Sequence, residues 1–89
     1  MKAILTVIGQ DRVGIIAGIS QKMLDFNINI LDVNQTIMQE FFTMIMVLDI
    51  KDMKGSFDDV KKGLNEEGKR LGVEIKIQKE EIFKSMHSL

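Results

Sequence analysis

The sequence predicts an α+β fold in which two helices cover one face of a four-stranded antiparallel sheet, with a short C-terminal helix after it. Two observations lead to this prediction. Apolar residues alternate in four stretches and recur at helical spacing in two others, in the order β-α-β-β-α-β. Two of the four strand-like stretches are apolar on both faces, as expected for central strands of a sheet.

The first strand is predicted over residues 2–8, with alanine, leucine and valine alternating on one face. Its other face is also largely apolar, so the strand is expected to be central. The stretch Gly9–Ile16 follows, and its two glycines let the backbone bend sharply. Asp11 is expected to cap the next helix, because its carboxylate can accept from free first-turn amides. The remaining amides favour an anion, so the turn is a candidate docking site; a plain capped turn is the alternative.

The first helix is predicted from about residue 13 to residue 25. Apolar residues spaced by four, four and three form its stripe: Ile15, Ile19, Met23 and Phe26. Ile16 and Leu24 are expected to widen this stripe. Asn27-Ile28-Asn29 is predicted to end the helix, because asparagine tolerates the left-handed conformation that a helix end often needs.

Strand two is predicted over residues 30–38, and Gln39-Glu40 is expected to turn the chain into strand three, residues 41–50. Asp32, Asn34 and Thr36 share one face of strand two. Asp32 and Asn34 are candidates for an interface or ligand face; a face that is simply exposed to water is the alternative. Strand three is apolar on both faces and therefore central. Met44 and Met46 are expected to fill the core or an interface rather than bind a metal, because thioethers pack irregular gaps.

The second helix is predicted to begin after Ser56, with Asp59 completing an approximate capping box, and to end at Gly72. Residues 73–78 then alternate between apolar and polar, which predicts an edge strand with one wet face. The resulting order is the split βαβ, or ferredoxin-like, arrangement. Right-handed crossovers place both helices on one face of its sheet.

Residues 80–89 are predicted to form a helical tail beside the domain of residues 1–79. Its apolar residues lie at helical spacing: Ile82, Phe83, Met86 and Leu89. A helix this short needs a surface to pack on, so the tail is expected to lie on the domain or on a partner subunit. Phe83 and Met86 are expected to be buried. The apolar side chains of the helix-free sheet face also predict a homodimer.

Composition excludes several function classes. Hydrophobic residues make up 45% and charged residues 28%, as in soluble globular proteins. The net charge of −1 argues against nonspecific nucleic-acid binding. Cysteine is absent and His87 is the only histidine, which excludes thiol catalysis and an imidazole metal cluster within one chain. No cofactor is predicted. No apolar run has the length or flanks of a membrane or signal segment, so a cytoplasmic location is expected.

The turn at residues 9–16, followed by residues 27–30, resembles the ACT domain, a βαββαβ amino-acid-sensing module. The usual turn reads Asp-Arg-Pro-Gly; here Val13 replaces the proline, which leaves the turn less pre-set. The ending Glu81-Ile82-Phe83, with Met86-His87 after it, further resembles a small group of free-standing ACT proteins of unassigned function.

The resemblance implies a non-enzymatic regulatory module that pairs, often into a continuous eight-stranded sheet, and binds an amino acid near the interface. Carried over position by position, the ligand-binding residues would be Asp11, Arg12, Val13, Gly14, Ile15, Asn27 and Asn29. Gly14 matches the family glycine whose missing side chain leaves room for the ligand. A regulated partner would be a separate protein.

Three alternatives remain open. Acylphosphatases share the element order and bind phosphate with an arginine and an asparagine, for which Arg12 and Asn29 are candidates; Asp11 would repel the phosphate. RNA-recognition modules stack bases on exposed aromatics, and strand three begins with Phe41-Phe42 but has no basic ring around it. The third is a protein-interaction module that has lost ligand binding.

Overall fold

The computed structural model describes residues 1–87 and confirms the predicted element order. The elements are β1 (Lys2–Gln10), α1 (Ile15–Asp25), β2 (Asn29–Met38), β3 (Phe41–Asp49), α2 (Phe57–Leu71), β4 (Val73–Lys79) and α3 (Glu80–His87). The strands form one antiparallel sheet in the order β2-β3-β1-β4, so β1 and β3 are central as predicted. The expectations for Leu89 and for the His87 side chain concern parts of the chain outside this description.

The core lies between the two long helices and one face of the sheet. Its most completely buried side chains come from all of these elements: Leu5, Val7, Ile15, Ile19, Met23, Met44, Met46, Leu48, Val60 and Leu64. The two methionines of β3 are therefore core residues, as expected. Ile16 and Leu24 are 45% and 71% exposed, so the prediction that they widen the α1 stripe is wrong. The helix presents only a narrow stripe to the sheet, and these two side chains lie outside it.

Helix α2 begins and ends as the sequence predicts. The Ser56 hydroxyl accepts from the Asp59 amide at 3.1 Å, and the Asp59 carboxylate accepts from the Ser56 amide at 3.1 Å. These hydrogen bonds lower the pKa of Asp59. At the other end, Gly72 adopts a φ of 75° and donates its amide to the carbonyl of Gly68. Left-handed glycine at this position ends a helix at little steric cost.

Helices α1 and α2 approach each other closely at Gly18. A Cβ atom there would lie 2.5 Å from Glu67 Oε2. The Glu67 side chain is only 9% exposed and accepts from Arg70 Nε at 3.1 Å. The Arg70 guanidinium lowers the pKa of Glu67, and the carboxylate in turn raises the pKa of Arg70. The absence of a side chain on Gly18 thus makes room for an ion pair within α2, on the side that faces α1.

Strand β2 is an edge strand that the helices leave largely uncovered. A bulge between Ile30 and Asp32 shifts its register against β3. Val33 and Ile37 pair with inward-facing residues of β3, yet they are 44% and 54% exposed. The helices pack over the rest of the sheet, so apolar side chains of β2 reach solvent on both of its faces. Met38, on the opposite face, is 68% exposed.

Helix α3 folds back onto the helix-free face of the sheet. Ile4 on that face is only 8% exposed, and Gln78 beside it donates to the sulfur of Met86 at 3.1 Å. Phe83 is half-buried. Met86 is 62% exposed, so its predicted burial is wrong. The helix has about two turns, and Met86 lies in the last one, with most of its side chain in solvent. None of the helices within residues 1–87 has the length and apolar character that crossing a bilayer requires.

Candidate functional site

The β1–α1 turn exposes its residues Asp11 to Gly14, and the buried Ile15 begins the helix. The N-cap residue is Gly14, with a φ of 93°, and no side chain caps the helix in the described part of the chain. The predicted capping role of Asp11 is therefore wrong. Instead, the Asp11 amide donates to the carbonyl oxygen of Glu40 at 2.8 Å, which ties the turn to the β2–β3 hairpin.

Because no side chain caps the start of α1 in the described part of the chain, its first backbone amides are available to a ligand. The first hydrogen bond of the helix runs from the Gly18 amide to the Gly14 carbonyl at 2.9 Å. The amides between these two residues precede the regular ladder and carry the positive end of the helix dipole. A Cβ atom on Gly14 would meet nothing within 4 Å, so the space outside the turn is open. An anionic group could enter this space and accept from the amides.

Arg12 is directed to the junction of α2 and β4. A Cβ atom on Gly72 would lie 3.2 Å from Arg12 Cζ and 3.3 Å from one of its terminal nitrogens. The carbonyl groups at the end of α2 carry partial negative charge, which a guanidinium stabilises. Arg12 thus packs across the end of the second helix.

Asn27 and Asn29 lie where α1 ends and β2 begins. Asn27 has a φ of 55°, as its predicted helix-ending role requires, and its side-chain amide donates to the carbonyl of Asp52 at 3.0 Å. Asn29 is exposed and pairs in register with Asp49. A polar cavity of about 360 Å³ is formed here by Asn27, Ile28, Asn29, Asp49, Lys51 and Asp52.

The structure does not bring these two groups of predicted site residues together in one chain. Asp49 pairs with Lys2 at the beginning of β1, whereas Phe41 pairs with Gln10 at its end. A nine-residue strand spans about 26 Å at 3.3 Å per residue, so Asn29 lies at the opposite end of the sheet from Asp11. The element order already implies this separation. Helix α1 starts where β1 ends and runs back along the sheet, so β2 starts at the other end of the sheet. The arginine and asparagine of the acylphosphatase alternative are therefore not paired within one chain.

The polar residues of β2 line a second cavity, on the helix-free face. It measures about 440 Å³ and is formed by Asp32, Asn34, Thr36, Thr43, Ile45 and Val47. Ile45 is 41% exposed, so this part of the sheet is open beside α3. Within residues 1–87, no cluster of three or more histidine, aspartate or glutamate side chains could hold a metal ion.

Comparisons with known proteins agree with this geometry. The sequence profile of the ACT domain matches residues 2–78. The chain belongs to the ACT domain family. It is 62% identical to a UPF0237 protein of Clostridium acetobutylicum over 87 residues, which cover 98% of each chain. A solved structure of an ACT domain protein from Streptococcus pneumoniae is 42% identical and superposes with a TM-score of 0.81 over 94% of each chain.

ACT domains are regulatory folds that bind small molecules, and this ACT domain shares the fold with larger regulatory proteins. One is the regulatory subunit of aspartate kinase from Thermus thermophilus, solved in a ligand-free form. It superposes with a TM-score of 0.66 at 20% identity over 86% of this chain and 50% of that one. A likeness at this identity concerns the fold alone.

The hairpin residue Glu40 is the contact that the sequence interpretation missed. Its carbonyl oxygen holds the turn by a backbone hydrogen bond, which any residue type could make. The available signal was topological: once β1 pairs antiparallel with β3, the end of β1 lies beside the start of β3. The β2–β3 hairpin is then a neighbour of the ACT domain's first turn.

Proposed function

We propose that this ACT domain is a regulatory module that binds an amino acid between two copies of the chain. The observation that carries the proposal is the uncapped start of α1, where Gly14 has a φ of 93° and open space where a side chain would be. The amides there suit a carboxylate.

The second copy is inferred from β2. Its outer edge lacks a ladder partner among the described residues, and nine of its ten residues are exposed. Apolar side chains point to both sides of this strand, as Val33 and Met38 show. An uncovered apolar edge of this length favours pairing with another strand. Two β2 strands paired antiparallel about a two-fold axis would make one eight-stranded sheet.

This pairing would also bring together the two groups of predicted site residues, one from each chain. In an antiparallel pair, the beginning of one β2 lies beside the end of the other. Asn29 of the second copy would then come near the β2–β3 hairpin, and the Asp11–Glu40 hydrogen bond places the first turn against that hairpin. Each of two equivalent sites would combine the turn of one chain with Asn29 of the other.

An amino acid has the charges that such a site requires. Its carboxylate would accept from the amides that follow Gly14, and its ammonium group would donate to the Asp11 carboxylate or to the side-chain oxygen of Asn29. A desolvated ammonium group needs such acceptors. Gly14, without a side chain, leaves space for the ligand.

Thermal unfolding in the presence of each of the twenty amino acids tests the proposal. A ligand of the native state at a hundred times its dissociation constant raises the unfolding free energy by about 2.7 kcal/mol. We expect at least one amino acid to raise the melting temperature. If none does at millimolar concentration while the protein remains dimeric, amino-acid binding is refuted and the pairing stands alone.

A mixing experiment tests whether the site is shared between chains. Gly14→Val and Asn29→Ala homodimers should each bind the ligand weakly. Mixed dimers place both substitutions in one site and leave the other site wild type. Calorimetry on the mixture should then recover tight binding, at up to one site per mixed dimer. Failure to recover any tight site, with subunit exchange shown by mass spectrometry, would place the binding residues within one chain.

A further inference from the structure

The second edge of the sheet differs from the first in charge. Strand β4 forms a ladder with β1, and its other edge has no strand beside it in the part of the chain described. Between this edge and α2 lies a groove of about 480 Å³, lined by Lys61, Lys62, Leu64, Asn65, Ile75, Lys76, Ile77 and Gln78. Three of these residues are lysines and none is acidic. In a chain of net charge −1, the groove is a basic surface.

One lysine of the groove, Lys61, and the neighbouring Lys79 lie near the same aromatic ring. The Lys61 ammonium lies 6.0 Å from the ring centroid of Phe57, and the Lys79 ammonium lies 5.5 Å from the same ring. Two ammonium groups thus lie around the Phe57 ring, one from α2 and one from the end of β4. Acidic side chains lie close to the groove but outside its lining. Asp59 is held in the capping box and faces Lys62, and Glu74 lies 3.7 Å from Lys76. Asp58 and Glu66 are exposed on the same helix as Lys61 and Lys62.

We propose that the free edge of β4 and this groove are a docking surface for an extended, acidic segment of another protein, which adds to the sheet as a further strand. The backbone of β4 offers unpaired amide and carbonyl groups to such a segment. Side chains on one face of the added strand would enter the groove beside Leu64 and meet Lys61 and Lys62. Side chains on its opposite face would meet Lys76.

The same lysines disfavour docking of a second copy of this chain at the β4 edge. Two β4 edges paired about Lys76 would place lysine against lysine, and charged edge residues are a common protection against self-pairing. Strand β2 carries apolar side chains at its edge and β4 carries lysines, so the two edges of one sheet are suited to different partners. The proposal goes beyond the amino-acid site and does not depend on it.

The test uses a fluorescent nine-residue peptide in which valine and threonine alternate with glutamate, and the full-length protein labelled with ¹⁵N. We expect saturable chemical-shift changes along residues 73–79 and no comparable changes along β2. A peptide with lysine in place of glutamate should bind at least tenfold more weakly. A peptide N-methylated at alternate residues cannot complete the ladder and should also lose at least tenfold in affinity.

Matched charge reversals locate the binding surface. The Lys61→Glu, Lys62→Glu double variant should bind the acidic peptide at least tenfold more weakly. The Lys51→Glu, Lys54→Glu variant makes the same charge change in the exposed β3–α2 loop and should bind within twofold of the wild type. Equal melting temperatures would show that both variants are folded. Any of three results overturns the proposal: equal binding of both peptides, no saturable change at 1 mM peptide, or pairing of the protein with itself through β4.

Discussion

The backbone amide of Asp11 donates to the carbonyl oxygen of Glu40 at 2.8 Å, and this hydrogen bond joins two loops that are far apart in the sequence. One loop begins α1 and the other ends the edge strand β2. The β2–β3 hairpin therefore lies against the start of α1, beside the last rungs of the β1–β3 ladder at Gln10 and Phe41.

Charge at the β2 edge is predicted to produce a monomer. Val33→Lys places a positive charge beside its symmetry mate at the proposed interface, and like charges oppose strand pairing. Val33 is 44% exposed, so the substitution leaves the core of the single chain intact. Light scattering should give the mass of one chain. Leu24→Lys, at a 71% exposed position on α1, is the control and should remain dimeric. A dimeric Val33→Lys protein would place the interface elsewhere.

Substitution of Gly14 is predicted to abolish ligand binding by filling the space outside the turn. The φ of 93° also strains any L-residue, at roughly 1–2 kcal/mol, and a β-branched side chain most of all. Gly14→Asn separates the two effects, because asparagine tolerates positive φ better than valine does. We expect Gly14→Val to lower the melting temperature more than Gly14→Asn, and both to lose binding by calorimetry. Wild-type affinity in the asparagine variant would move the site away from this turn.

Two glycines of α2 are predicted to respond differently to alanine. A Cβ on Gly68 would lie 2.8 Å from the carbonyl oxygen of Val73, which belongs to the backbone and cannot move aside freely. A Cβ on Gly63 would lie 2.9 Å from the edge of the Phe26 ring, which can rotate. Urea unfolding should show Gly68→Ala destabilised by about 1–3 kcal/mol, as expected for overpacking. Gly63→Ala should change the unfolding free energy little, because the preference of alanine for helix, about 1 kcal/mol, offsets the cost of moving the Phe26 ring. Equal effects would contradict the close approach at Gly68.

The Glu67–Arg70 pair predicts that stability falls in acid. The pKa of Glu67 is below its ordinary value of 4.5, mainly because Arg70 donates to its carboxylate. The ionised carboxylate therefore contributes stability above pH 4.5, and this contribution is lost as the pH falls through the lowered folded-state pKa. Glu67→Gln should flatten the acid side of the stability curve. Glu66→Gln, at an exposed neighbour, should leave it unchanged. An unaltered curve in Glu67→Gln would show that the pair does not couple to folding.

The tail is predicted to be anchored by Phe83 and not by Met86. Phe83 is half-buried, whereas Met86 is 62% exposed. Phe83→Ala should therefore speed amide exchange throughout α3 and expose Ile4 beneath it, and Met86→Ala should change exchange much less. Hydrogen exchange read by mass spectrometry distinguishes the two variants. Fast exchange of α3 in the wild type would contradict packing of the tail.

Local patterns predicted most of the fold. Alternation and helical spacing placed the four strands and the three helices, and the capping box at Ser56 and the left-handed Gly72 marked the ends of α2. The start of α1 was different. Asp11 has the side chain of a cap, but the competing backbone hydrogen bond to Glu40 holds it elsewhere, and that partner is 29 positions away in the chain.

The sequence by itself determined the order of the elements, the central place of β1 and β3, and the membership of the ACT domain family. The order and the central strands follow from side-chain periodicity and turn residues, which act over a few neighbouring positions. The family follows from the resemblance of residues 9–16 and 27–30 to the ACT motif, and the match over residues 2–78 shows it. Only the tertiary structure decided which apolar side chains stay exposed and where Arg12 is directed. Burial depends on which element covers which face. Which face is covered depends on contacts between residues far apart in the sequence, and local residue patterns do not predict those contacts.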